Sequence, residues 1–177
     1  MTPYELDLKP VDHISIDAIG KPGQRVFYIQ AWQDKRPQAV TVIVEKIQVL
    51  SLAIGIEKLI ANLEAANPEL SPAEMDFDPE NMRISPPVDP LFRAGEIGVG
   101  YDEADDLVVI LVREILTDEA GEAGASLVRF WCSRSQAGRL ARWSQEVVNR
   151  GRPICAQCGQ PMEPEGHFCP KKNGHKH

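Results

Sequence analysis

No stretch of this 177-residue chain approaches the roughly 18 consecutive apolar residues of a membrane-spanning helix, so no membrane role is expected. The N-terminal residues Met1-Thr2-Pro3-Tyr4 and those after them lack both the basic start and the apolar run of a secretory leader. The expected location is the cytoplasm. Cysteine is scarce, with four residues in all, but three of them fall within fifteen positions. Without an export signal, that clustering favours a metal site over disulfides. Positive charge is in deficit as well: Lys and Arg number 19 against 26 acids, a net charge of −7, which excludes a protein that coats nucleic acid through its whole surface. The chain also has no G-x-x-x-x-G-K-[ST] phosphate loop, no H-E-x-x-H and no G-x-S-x-G. Gly98-Val99-Gly100 lacks the third glycine and the helix start that a dinucleotide site needs.

The length suits one domain with an appendage. Residues 12–19 alternate with period two, placing Ile14, Ile16 and Ala18 on one face and His13, Ser15 and Asp17 on the other, as in a half-buried strand. A turn at Gly20-Lys21-Pro22-Gly23 leads into a second strand at 25–32, and residues 39–45 form a third. At 47–66 the period changes: Val49, Leu52, Ile56, Leu59, Ile60 and Leu63 recur at spacings of three and four, giving a helix whose apolar face covers the sheet. Residues 67–92 hold six prolines and many acids and read as a connecting loop. Three further strands follow at 93–101, 107–116 and 126–132, the middle one apolar on both faces and therefore central. Ser133 and Gln136 have the spacing of a capping box opening a helix to about residue 149. The expected fold is α+β: a mainly antiparallel sheet built from two strand-strand-strand-helix units over residues 1–150, plus a small zinc-ribbon-like segment at 151–177.

That segment carries the one constellation whose spacing demands specific chemistry. Cys155, Cys158, His167 and Cys169 form the pattern C-x2-C-x8-H-x-C. Three thiolates and an imidazole suit tetrahedral zinc, and four protein ligands leave no open position, so the metal is expected to be structural. A segment of some twenty residues rich in Pro and Gly cannot bury a core, and metal binding would fold it. His175 or His177 could replace His167 if the tail folds back. A redox dithiol is the weaker rival, because such motifs normally follow a strand and open a helix. An iron–sulfur cluster would call for a fourth thiolate. Cys132 sits in an apolar run and reads as a buried structural thiol.

Charge is unevenly distributed. Residues 133–177 carry eight Lys or Arg against three Glu, a balance of +5, leaving −12 on residues 1–132. The basic stretch suits solvated helix faces, an acidic surface of the chain itself or a neighbour, or an anionic partner. Three functional readings remain open. The first is a binding or adaptor module whose partner is a protein, with an anionic ligand or nucleic acid as a subsidiary version, recognised through Arg139, Arg142, Lys171 and Lys172. Phe168 is the only aromatic in the C-terminal segment, which is little stacking surface for bases. The second is an enzyme acting on a small anionic substrate through Arg25, Gln30, Glu45, Lys46 and Gln48 on the sheet. For these residues capping and solvation are the ordinary roles. The third is a structural subunit of a homodimer.

The run Cys155-Ala156-Gln157-Cys158-Gly159-Gln160-Pro161, continued by Pro164, Gly166-His167, Cys169-Pro170 and Asn173-Gly174, carries a family resemblance. So do Gly20-Lys21-Pro22-Gly23-Gln24-Arg25-Val26-Phe27, Glu45-Lys46-Ile47-Gln48-Val49 and the stretch 87–95. In these the chain resembles a bacterial, mainly actinobacterial, family of uncharacterised proteins that ends in a C-x2-C-G…G-H-x-C-P signature. The resemblance extends over most of the chain and implies a shared fold and a metal site. It transfers no catalytic residues.

Overall fold

A computed structural model describes the protein over residues 3–116, 124–162 and 167–172. His175 and His177, the alternative ligands, lie outside the described residues, as does most of the acidic turn after residue 116. The strands are β1 (Glu5–Leu8), β2 (His13–Ile19), β3 (Val26–Trp32), β4 (Val40–Val44), β5 (Pro90–Asp102), β6 (Leu107–Glu114) and β7 (Leu127–Ser133). Helix α1 (Lys46–Ala66) follows β4 and α2 (Arg134–Asn149) follows β7. The strands form one seven-stranded sheet in the order β1-β7-β6-β5-β4-β3-β2. Both expected units, β2-β3-β4-α1 and β5-β6-β7-α2, are present, each an antiparallel meander closed by a helix. They join side by side through a parallel pairing of β4 with β5. Strand β1, which the sequence reading left in the lead-in, is also parallel, to β7. At four residues it is too short for its alternation to register.

Capping decides where the helices begin. Ser133 Oγ accepts from the Gln136 backbone N–H at 3.1 Å, and Gln136 Oε1 accepts from the Ser133 N–H at 2.9 Å. At α1, Gln48 Oε1 accepts from the Glu45 N–H at 2.8 Å. The two helices pack on each other, which places them on one face of the sheet, α2 against β2, β6 and β7 and α1 against β5. Beneath them lie Ile16, Ile29, Val42, Val108, Ile110 and Phe130, each fully buried.

On the opposite face of the first meander three polar side chains are equally buried. Ser15, Gln30 and Thr41 stand in register across β2, β3 and β4 and are 0–1% exposed. What covers them is the Pro-rich stretch. Ser15 Oγ donates to the Met82 carbonyl; Gln30 Nε2 donates to Thr41 Oγ1 and to the Ser85 carbonyl, each at 3.1 Å, and Gln30 Oε1 accepts from the Ser85 N–H at 2.8 Å. Upstream, the same stretch is tied to the helices: the Ala73 N–H donates to Glu64 at 2.8 Å and the Glu74 N–H to Ser135 Oγ at 2.9 Å. The connecting loop is thus a strap that passes from the helices round edge strand β2 to the back of the sheet.

The strap also answers the uneven charge. Arg139 pairs with Glu74 at 2.9 Å and Arg142 with Asp76 at 3.5 Å, while Arg134 Nη1 donates to the Ser71 carbonyl at 2.7 Å. The basic helix docks against the chain's own acids, one of the alternatives that the composition allowed. Arg134 is buried and also grips Asp106 through Nε at 2.8 Å and Nη2 at 3.2 Å. The hydrogen bond from Arg134 is the main reason the Asp106 carboxyl lies below its ordinary value of 3.8, with the Tyr101 hydroxyl adding to it against some desolvation. A carboxyl depressed in the folded state adds stability that is full above its unfolded value and lost as pH falls through the folded one. Asp106→Asn, which keeps the left-handed backbone at φ 49°, should therefore lower the melting temperature near neutral pH, with the gap closing below about pH 4. Melts across that range check it.

Candidate metal centre

Helix α2 ends at Asn149, and the chain does not leave the body freely. Arg25, at the foot of β3, donates to the last-turn carbonyls of Val147 at 2.7 Å and Val148 at 3.1 Å. The Gly151 N–H also reaches the Val148 carbonyl, at 3.2 Å, and the cation suits the negative end of the helix dipole. After Gly151-Arg152-Pro153 the chain makes a small hairpin: Ile154 bridges Pro161, and the Met162 N–H donates to the Pro153 carbonyl at 2.8 Å. At its tip the Gly159 N–H returns to the Cys155 carbonyl at 2.9 Å, and the Cys155 N–H donates to the Gln160 carbonyl at 2.9 Å. Gly159 takes φ +72°, a left-handed conformation in which glycine is unstrained. That turn directs the Cys155 and Cys158 sulfurs to one side.

The second half of the segment brings the remaining two donors. His167 and Cys169 are one residue apart, and a short 3-10 turn, Pro170–Lys172, follows. All four ligand atoms lie within 4.8 Å of one another. Cys155 Sγ stands 3.9 Å from Cys169 Sγ, and Cys158 Sγ stands 3.2 Å from His167 Nε2. For sulfurs about 2.3 Å and a nitrogen about 2.0 Å from a common tetrahedral ion, the edges would be about 3.8 Å for S···S and about 3.5 Å for S···N. The first edge is met and the second is short by a few tenths of an ångström. These residues could hold one metal ion, and all four expected ligands are the ones brought together. Cys132 is not among them: it is fully buried in β7, where burial pushes its thiol up to about 12.

Cys155 is pulled down to about 6, first by the backbone N–H groups of Cys158 and Gln157. Cys158 receives the Gln160 N–H, which favours its thiolate, yet desolvation and the neighbouring Cys155 and Cys169 thiols raise it overall. Thiolates placed this close would repel one another, a cost that a positive ion held between them would remove. Among the described residues His167 Nδ1 is buried with no hydrogen-bond partner. Ligation through Nε2 leaves the ring proton on Nδ1, the atom that metal-bound histidines ordinarily use to fix their orientation.

The polar residues considered for catalysis do not assemble a site of their own. Gln30 is buried under the strap, Arg25 caps α2, Glu45 pairs with Arg93, and Gln48 Nε2 donates to the Ala94 and Gly95 carbonyls at 3.3 and 3.1 Å. Lys46 is exposed at the start of α1. What the sequence did not disclose is that Arg25 and Lys46 face the metal segment across a cleft shared with Arg152. No local pattern links residues so far apart.

Comparison with known proteins returns one result. A sequence-family profile described as "Protein of unknown function (DUF3090)" matches residues 6–169, from β1 to the last of the four candidate ligands. Neither the curated proteins nor the solved structures contain a significant match.

Proposed function

The chain belongs to the DUF3090 family of proteins of unknown function, and from that premise we propose that it is a zinc-stabilised binding module that docks a protein partner. One zinc ion, held by Cys155, Cys158, His167 and Cys169, fixes the C-terminal segment against the sheet. The role of the metal is structural, because four protein ligands leave no position for water or substrate. A reducing cytoplasm keeps such thiolates available to the ion. The observation that carries the reading is the contrast within the segment: the four donors converge, while two of its large apolar side chains, Ile154 and Phe168, stay 56% and 65% exposed. Exposed apolar side chains on a segment too small to have a core are what a docking surface presents.

Elemental analysis of the purified chain should find one equivalent of zinc. Ile154→Glu with Phe168→Glu should abolish capture of a partner protein while leaving the zinc content unchanged. Equal capture by variant and wild type would move the surface elsewhere. A dimer that is lost in the variant would identify the partner as a second copy of the chain.

A further inference from the structure

We propose that the cleft between edge strand β2, the strap and the start of α2 binds a small organic cation, an ammonium or amidinium, against the rings of His13 and Trp32. The cleft has a volume of about 660 Å³, a size that suits a small molecule, and it shares no residue with the metal segment.

The path of the strap creates the opening. Its carbonyls at Met82 and Ser85 cover Ser15 and Gln30, which face each other across β2 and β3. The next cross-strand pair on the same side of the sheet, His13 and Trp32, stays half-buried and lines the cleft. Their ring centroids lie 5.2 Å apart with the planes inclined at 45°, and among the described residues neither ring makes a hydrogen bond. Aromatic faces with free polar edges, turned toward a cavity instead of packed away, are what a bound ligand covers. Burial lowers the pKa of His13, so near neutral pH its ring is uncharged and offers a π face. Phe77 brings a third ring from the strap.

The charge around these rings selects the ligand. Four carboxylates, those of Asp12, Asp76, Asp78 and Glu80, line the cleft against the two guanidinium groups of Arg83 and Arg139. Both arginines already have acidic partners, Arg83 in Glu80 at 3.6 Å and Arg139 in Glu74 at 2.9 Å. Two of the carboxylates are fixed by local bonds: the Asp34 N–H reaches Asp12 Oδ2 at 2.6 Å, and the Glu80 N–H and Asn81 Nδ2 hold Asp78 at 3.0 and 3.3 Å. Asp76 is fully exposed, and its pairing with Arg142 is long, at 3.5 Å. An aromatic face attracts a cation through the ring quadrupole, and carboxylates beside it add Coulomb attraction. An anion of the same shape would meet both with the wrong sign.

Benzamidinium, benzamide and benzoate share one ring and one outline and differ in charge, which makes them the probes. Each is titrated at constant ionic strength into the nitrogen-labelled full chain, and the indole N–H signals of Trp32, Trp131 and Trp143 are followed by NMR. Benzamidinium should shift the Trp32 signal saturably and bind at least about fivefold more tightly than benzamide, with benzoate weaker still. The other two signals should hold still, because Trp131 Nε1 already donates to Asp7 at 2.8 Å and Trp143 Nε1 to the Ile16 carbonyl. Asp76→Asn with Glu80→Gln, both at exposed side chains, should weaken benzamidinium about fivefold or more and leave benzamide unchanged. Benzamide or benzoate binding as tightly as benzamidinium would overturn the cation assignment. No saturable shift at Trp32 with any of the three, or an unchanged benzamidinium affinity in the double variant, would overturn the site itself. Zinc content and partner capture test the proposed function separately, since the two sites have no residue in common.

Discussion

Changing Cys155 and Cys158 together to serine should eliminate metal binding and unfold the C-terminal segment while the sheet and its helices stay folded. The balance of energies sets this expectation. Structural zinc supplies about 10–16 kcal/mol to small zinc-binding peptides near neutral pH, comparable with the roughly 5–15 kcal/mol that holds a whole domain together. The segment has nothing to replace it: beyond Gly151, the only buried apolar side chains among the described residues are the candidate ligands Cys155 and Cys169. The core of the body draws on none of that segment. Limited proteolysis with mass spectrometry should give a stable fragment ending near residue 150 from the variant, and from wild type treated with a strong chelator, but not from the zinc-loaded protein. A variant that keeps its segment protected would show that the contacts of Arg25 and Arg152 hold it without metal. A variant whose sheet also melts would show that the segment is part of the core.

Trp143→Ala should produce the largest loss of stability in the body. Trp143 is fully buried in α2, and its Nε1 donates to the Ile16 carbonyl on edge strand β2 at 2.6 Å. Phe77 of the strap meets its ring edge-on at 5.6 Å between centroids, and Arg150 lies over the ring at 4.4 Å. One side chain thus joins helix, sheet edge and strap. Truncating a buried tryptophan to alanine costs about 3–5 kcal/mol, which in a chain of this length lowers the melting temperature by roughly 10 °C. Trp143→Phe keeps most of the apolar volume and removes the donor, so it should cost only about 1–3 kcal/mol. Urea and thermal unfolding of both variants check the order. Accelerated cleavage between Asp76 and Asn81 in the alanine variant alone would show that the strap depends on the ring. Equal losses in the two variants would place the effect in the hydrogen bond instead.

Much of this molecule was legible locally. The alternation from His13 to Ile19, the change to helical period at α1 and the Ser133/Gln136 capping box each involve residues within one turn or one strand of each other. The cluster of four candidate ligands was legible for the same reason, since Cys155 to Cys169 spans a short loop and a tetrahedral thiolate–imidazole site takes few donor types. The lead-in strand β1 was not, because four residues acquire their strand character only from pairing with β7, more than 120 positions away. The strap was recognised as a connection from its prolines, but nothing in 67–92 announced that its carbonyls would satisfy Ser15 and Gln30 on the back of the sheet.

By itself, then, the amino-acid sequence determined the α+β order of elements and the four candidate ligands, because both depend on spacing along the chain. Only the tertiary structure decided how the charge is used. It paired the arginines of α2 with the acids of the strap and carried Arg25, Lys46 and Arg152 from three distant segments into one cleft. Coulomb interactions act through distances in space, and those distances exist only once the sheet has set its register and the helices have packed on it.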